Sequence, residues 1–172
     1  MRCKLLYSIV LCTTITGCAS LAPGPAETPA VPAPSAQRSE ALLQALLALG
    51  VDYRYGGTSP VTGFDCSGLV AHVYREAWGI RLPHSTQAQS KAGAPVSLAE
   101  LQPGDLLFYD TQQKPYSHVG IYMGDGKFVH APKSGARVRV ESIQSRYWAS
   151  RFNGAVRIDP DRGPGPKADS SR

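Results

Sequence analysis

Apolar residues follow two rhythms along this chain, and the change between them divides its folded part. Leu42, Leu43, Leu46, Leu47 and Leu49 recur at the three-and-four spacing of a helix face. Ser39 is a good N-cap type, and Gly50 suits a left-handed C-terminal cap. The spacing predicts a first helix from Ser39 to Leu49, with its leucines turned to the core. Residues 53–63 are glycine-rich and read as a loop. A second helix runs from Cys66 through Leu69, Val70, Val73 and Tyr74 to Ala77, and Gly79 ends it.

From Pro103 the pattern shortens to that of strands. Residues 106–109 form an apolar run after a Pro-Gly-Asp turn, and 118–123 form another. Gly124-Asp125-Gly126 reads as a hairpin turn into a third strand at 127–131. Residues 137–141 alternate charged and apolar positions, as a half-exposed strand does. Residues 145–150 suggest a helical turn with Tyr147 and Trp148 packed inward, and 154–158 fit a last strand. Helices first and antiparallel strands second predict an α+β domain over residues 39–159, with the N-terminal helices packed on a small sheet.

The flanks differ from this. Arg2 and Lys4 precede an apolar stretch from Leu5 to Ile15 that is too short to span a bilayer. It ends in Ile15-Thr16-Gly17-Cys18, which resembles a bacterial lipobox. Residues 1–17 are therefore expected to be a signal, and Cys18 a lipidated N-terminus. Several acyl chains on one residue give stable anchoring. Ala19-Ser20 lack the aspartate that often retains lipoproteins in the inner membrane, so the outer membrane, facing the periplasm, is the expected location. Residues 21–37 are Pro/Ala-rich and read as a tether that reaches up to about 50 Å at about 3.1 Å per residue. The tail from 160 is rich in Pro, Gly and charge and is expected to be disordered.

Composition adds two restrictions. The net charge is +5 over 172 residues, and it falls to +3 without Arg2 and Lys4. No Lys/Arg run of the kind that binds nucleic acid occurs. Of four cysteines, Cys3 and Cys12 would leave with the signal and Cys18 would carry lipid. Cys66 is then a lone thiol in an oxidising compartment, which makes it a candidate nucleophile.

Five stretches carry a resemblance: Val51-Asp52-Tyr53-Arg54-Tyr55-Gly56-Gly57, Asp65-Cys66-Ser67-Gly68-Leu69-Val70, Pro103-Gly104-Asp105-Leu106, Ser117-His118-Val119-Gly120-Ile121-Tyr122 and Phe128-Val129-His130-Ala131. Together, over about residues 40–158, they resemble the successive signatures of the NlpC/p60 cell-wall peptidases. The resemblance implies a papain-like α+β fold and cleavage of peptidoglycan stem peptides. It implies Cys66 as nucleophile, His118 as base and His130 as the orienting third member, and Tyr53 matches the tyrosine before the Gly-Gly.

The residue chemistry supports those roles. A helix N-terminus favours a thiolate, and an adjacent imidazolium can lower a thiol's pKa by several units. Adjacent antiparallel strands can set His118 and His130 side by side. The Cys66 N–H and the Tyr53 hydroxyl would hold the oxyanion. Asp65 and Ser67 flank the nucleophile and are candidate substrate contacts. Asp105 reads as a turn-fixing residue, His72 as a packing or surface residue, and His84 as a loop residue with no catalytic match that could line the cleft. No metal or cofactor is called for, and a monomer is expected. The expected targets are cross-links ending in D-alanine, opened in wall growth; the open alternatives are cleavage of the γ-D-glutamyl–diaminopimelate bond, a non-catalytic wall-binding lipoprotein on the same fold, and a related acyltransferase or amidase.

Overall fold

The structure is a computed structural model that describes residues 36–161. The expectations for the signal, for Cys18, for the tether up to residue 35 and for the tail from 162 lie outside the described residues.

The chain opens with α1 (Ala36–Leu47), then a short hairpin of β1 (Thr58–Ser59) and β2 (Gly63–Phe64). It continues through α2 (Cys66–Trp78) and α3 (Thr86–Gln89) into β3 (Ala94–Val96). After a 3₁₀ turn come β4 (Leu106–Tyr109), β5 (His118–Gly124), β6 (Lys127–His130), β7 (Arg139–Ser142), α4 (Arg146–Ala149) and β8 (Phe152–Arg157). The last six strands form one antiparallel sheet in the order β3-β8-β4-β5-β6-β7.

The strands' two-residue period sends their side chains to opposite faces. Leu106, Phe108, Val119, Ile121, Val129 and Val156 join α1 and α2 in the larger core. From α2 that core receives Leu69, Val70, Val73 and Tyr74. Leu107, Tyr109, Phe128 and Trp148 form a second core on the other face.

The predicted helix face of α1 is corrected. The helix starts at Ala36, so Ser39 lies inside it rather than capping it. Ala41, Ala45 and Ala48 form the buried stripe, while Leu43, Leu46, Leu47 and Leu49 are exposed. The cause is close packing: α1 lies against α2, and small side chains let two helices approach. Its first turn is also pinned from outside. Trp78 Nε1 donates to Gln37 O at 2.7 Å, and Arg38 Nη1 donates to Pro103 O at 3.1 Å. A second correction concerns α4. Trp148 is buried as expected, but Tyr147 is 48% exposed and lies under the Arg151 guanidinium instead. Asp105 does fix the turn before β4. It is fully buried and accepts from Gln102 N and from Arg157 Nε and Nη2 at 2.7–2.8 Å.

Candidate active site

Cys66 opens α2, and the carboxylate before it sets its place. Asp65 has extended backbone and N-caps the helix, accepting from Gly68 N–H at 2.7 Å and Ser67 Oγ at 3.0 Å. Its other oxygen accepts from Gly56 N–H at 2.9 Å. His84 Nε2 lies 2.9 and 3.0 Å from the two oxygens. One carboxylate thus ties together the glycine-rich loop, the first turn of α2 and the segment before α3. Gly68 makes that junction possible, since a Cβ there would lie 2.0 Å from Gly57 O. Gln89, fully buried, adds a second tie by donating to Ser67 O at 2.9 Å and Pro83 O at 2.8 Å.

The Cys66 sulfur is half-buried and, among the described residues, is the one free cysteine. The backbone N–H groups of Val119, Ser67 and Cys66 itself favour its charged form. Burial pushes the thiol up to about 11, and the Asp65 charge adds to the rise, while the three N–H groups pull the other way. Desolvation therefore outweighs the helix N-terminus. The expected resting thiolate is corrected to a neutral thiol at neutral pH.

Val119, in the core cluster that Cys66 packs against, follows His118 on β5, so Cys66 packs against the core that this strand helps to form. Ile121 faces Val129 across β5 and β6. His118 and His130 are thus two residues out of direct register, diagonal neighbours on one face. Their rings meet edge to face at 89°, with His118 Nε2 2.8 Å from His130 Nδ1. Trp148 closes over both, stacked on His118 at 5.5 Å and edge-on to His130 at 4.9 Å. His118 is 4% exposed and His130 fully buried. Burial lowers both imidazoles to about 3. For His118 the neighbouring His130 deepens that drop and Glu141 opposes it, while for His130 the Arg139 charge adds to it. Both rings are neutral at pH 7.

Tyr53 is anchored by its backbone N–H to Ala136 O at 2.8 Å. It lines a cleft of about 420 Å³ together with Cys66, Asp65, Ser67, His84 and Ser85. Burial raises its hydroxyl, a thiolate forming at Cys66 would raise it further, and the Asp65 charge adds to the rise, so it stays a proton donor. Asp65 and Ser67 face this cleft while their hydrogen bonds run within the protein. His84 does line the cleft. His72 does not. It packs on the Phe64 ring at 5.0 Å and lies 4.0 Å from Glu76. Among the described residues, no cluster of His, Cys, Asp or Glu is placed to hold a metal ion.

A second cleft of about 410 Å³ lies over Trp148, lined also by Lys133, Arg139 and Glu141. Sequence reasoning missed Glu141, whose only trace was the charged–apolar alternation of its strand. It also missed Gln89 and the Asp65–His84 contact, for which no local pattern exists.

The signature of the NlpC/P60 family matches residues 50–157. The chain belongs to the NlpC/P60 family. Among curated relatives, the murein DD-endopeptidase MepH of Escherichia coli is 41% identical over 64% of this chain and 42% of its own length. The gamma-DL-glutamyl hydrolase of Bacillus subtilis is 40% identical over 64% of this chain and 27% of its length. The Escherichia coli protein named murein DD-endopeptidase MepS/murein LD-carboxypeptidase is 42% identical over 63% of this chain and 56% of its length. The match thus spans little more than half of these relatives at most. The crystal structure of the NlpC/p60 domain of the peptidoglycan hydrolase SagA superposes with a TM-score of 0.62 at 35% identity, covering 70% of this chain and 98% of that one. A lipoprotein-like NLP/P60 family protein of Staphylococcus aureus gives 0.64 at 36% identity, over 76% of this chain and 44% of its own. The α+β, papain-like fold is therefore that of the NlpC/P60 domains.

Proposed function

We propose that this protein is a cysteine peptidase that hydrolyses amide bonds of peptidoglycan stem peptides, with cross-links ending in D-alanine as its targets. The observation that carries this reading is Cys66, half-buried at the start of α2 and acted on by the Val119 N–H that follows His118 on β5, together with the bonded His118–His130 pair. A neutral thiol next to a neutral imidazole is a competent resting state. His118 takes the thiol proton as sulfur attacks the scissile carbonyl, and a tetrahedral oxyanion forms. The Cys66 N–H and the Tyr53 hydroxyl stabilise it, and one such donor is worth about 3–4 kcal/mol. His118 then protonates the leaving amine, a thioester remains on Cys66, and His118 activates water to hydrolyse it.

Two relatives of this chain are named for DD-endopeptidase activity, which favours the cross-link. The relative named gamma-DL-glutamyl hydrolase supports a second reading, cleavage of the γ-D-glutamyl–diaminopimelate bond within one stem. Digestion of purified cross-linked muropeptide dimers separates them. The first reading yields monomers with intact stems, and the second yields shortened stems with the cross-link retained.

We further propose that Cys18 is lipidated and that the Pro/Ala-rich segment from residue 21 up to α1, which takes in Ala36 and Gln37 as its first residues, tethers the domain to the inner face of the outer membrane, where it acts as a monomer on the wall. The support is the Ile15-Thr16-Gly17-Cys18 sequence after a basic and apolar leader. Mass spectrometry of the mature N-terminus tests it. An unmodified N-terminus beyond Cys18 would remove the anchor.

A further inference from the structure

We infer that Glu141 is a positioning residue of this site: its carboxylate faces the buried Nε2 of His130 and sets the tautomers of both imidazoles, leaving Nδ1 of His118 as the nitrogen that takes the Cys66 proton. This rests on the catalytic reading above.

Two neutral imidazoles share two protons among four nitrogens. One proton lies in the 2.8 Å bond between His118 Nε2 and His130 Nδ1. Two arrangements satisfy that bond. In the first, His118 donates through Nε2–H, His130 carries its proton on Nε2, and Nδ1 of His118 is bare. In the second, His130 donates through Nδ1–H, His118 carries its proton on Nδ1, and Nε2 of His130 is bare. Only the first leaves His118 a free lone pair for a thiol proton.

The surroundings of His130 Nε2 decide between them. This atom is buried and has no hydrogen-bond partner. The anion facing it is Glu141 Oε1, 3.6 Å away. A carboxylate attracts an N–H and repels a bare ring nitrogen, so it selects the first arrangement. Catalytic contacts are commonly long before substrate binds and tighten afterwards. Glu141 is also held in place. Trp148 Nε1, on the ring stacked over His118, donates to Oε2, and Arg139 Nε donates to Oε1 at 2.5 Å. Glu141 opposes the loss of proton affinity at His118, which favours the imidazolium formed during attack.

Long-range ¹H–¹⁵N spectra of the histidine-labelled full chain at pH 7 test this without any substrate. The expected result is Nε2–H for both His118 and His130. His130 in the Nδ1–H form in the wild type would overturn the inference, whatever the enzyme cleaves. Glu141→Leu should move His130 toward Nδ1–H and lower kcat on cross-linked muropeptides at least tenfold, with KM within twofold. Glu141→Gln retains a carbonyl acceptor and should recover most of that rate. Wild-type kcat and unchanged tautomers in both variants would reduce Glu141 to a surface ion-pair partner and overturn the inference. If the leucine variant does not fold, the wild-type spectrum and the glutamine variant decide. A wild type that cleaves no muropeptide yet shows the expected tautomers removes the catalytic reading and leaves the proton arrangement standing.

Discussion

A thiol held near 11 by burial does not ionise unaided at neutral pH, so the Cys66 proton must move as the sulfur attacks. Whatever stabilises the developing charge lowers the cost of that transfer, and Tyr53 lines the same cleft with its hydroxyl protonated. Tyr53→Phe should therefore lower kcat about a hundredfold, the scale of losing one oxyanion donor, with little change in KM. Initial rates on a soluble muropeptide check this, and a loss expressed mainly in KM would reassign Tyr53 to binding. Cys66, His118, His130 and Tyr53 were legible in the sequence because each sits in a short local motif. Glu141, Gln89 and the bond of His84 to Asp65 were not, because the partners lie 11, 22 and 19 residues apart. Their roles depend on chain crossings that no spacing encodes. The thiol's charge state was also misread, because a helix N-terminus is visible in sequence and burial of the sulfur is not.

At the scale of elements, α2 was legible to within a residue because Asp65, Gly68 and Gly79 punctuate it. Gly79 caps it in the left-handed conformation with φ of 67°. The face of α1 was misjudged because Ala41 to Leu47 is apolar at every position but Gln44, so periodicity alone does not choose a side. Contact with α2 chose the alanines. Ala45→Leu should then destabilise the domain by about 1–3 kcal/mol through overpacking. Leu47, 68% exposed, should tolerate serine within about 0.5 kcal/mol. Urea unfolding of the two variants distinguishes the assignments, and the opposite ranking would restore the leucine face as core. β3 escaped notice because Pro95 weakens it as a strand, yet it is an edge strand paired only to β8, where a missing N–H is tolerated.

For the whole molecule, burying two uncharged imidazoles couples folding to pH. Both titrate from about 6.5 in the unfolded chain but near 3 when folded. Between those values the unfolded state binds more protons, so stability is full above about 6.5 and falls as pH drops toward 3. Each ring contributes a slope of up to about 1.4 kcal/mol per pH unit. The urea midpoint should therefore drop steeply between pH 6.5 and pH 4, and a flat midpoint across that window would show that the rings are not buried uncharged. The order of the sheet is likewise a property of the whole chain. Its hairpins were readable from turns, whereas the return of β8 to lie between β3 and β4 was not. The most direct test of the central claim is product analysis of peptidoglycan sacculi digested by the wild type and by Cys66→Ala. The wild type should release muropeptides with newly cut stem or cross-link amides, and Cys66→Ala, folded to the same extent, should release none. Equal release by both, or none by either, would contradict a nucleophilic Cys66.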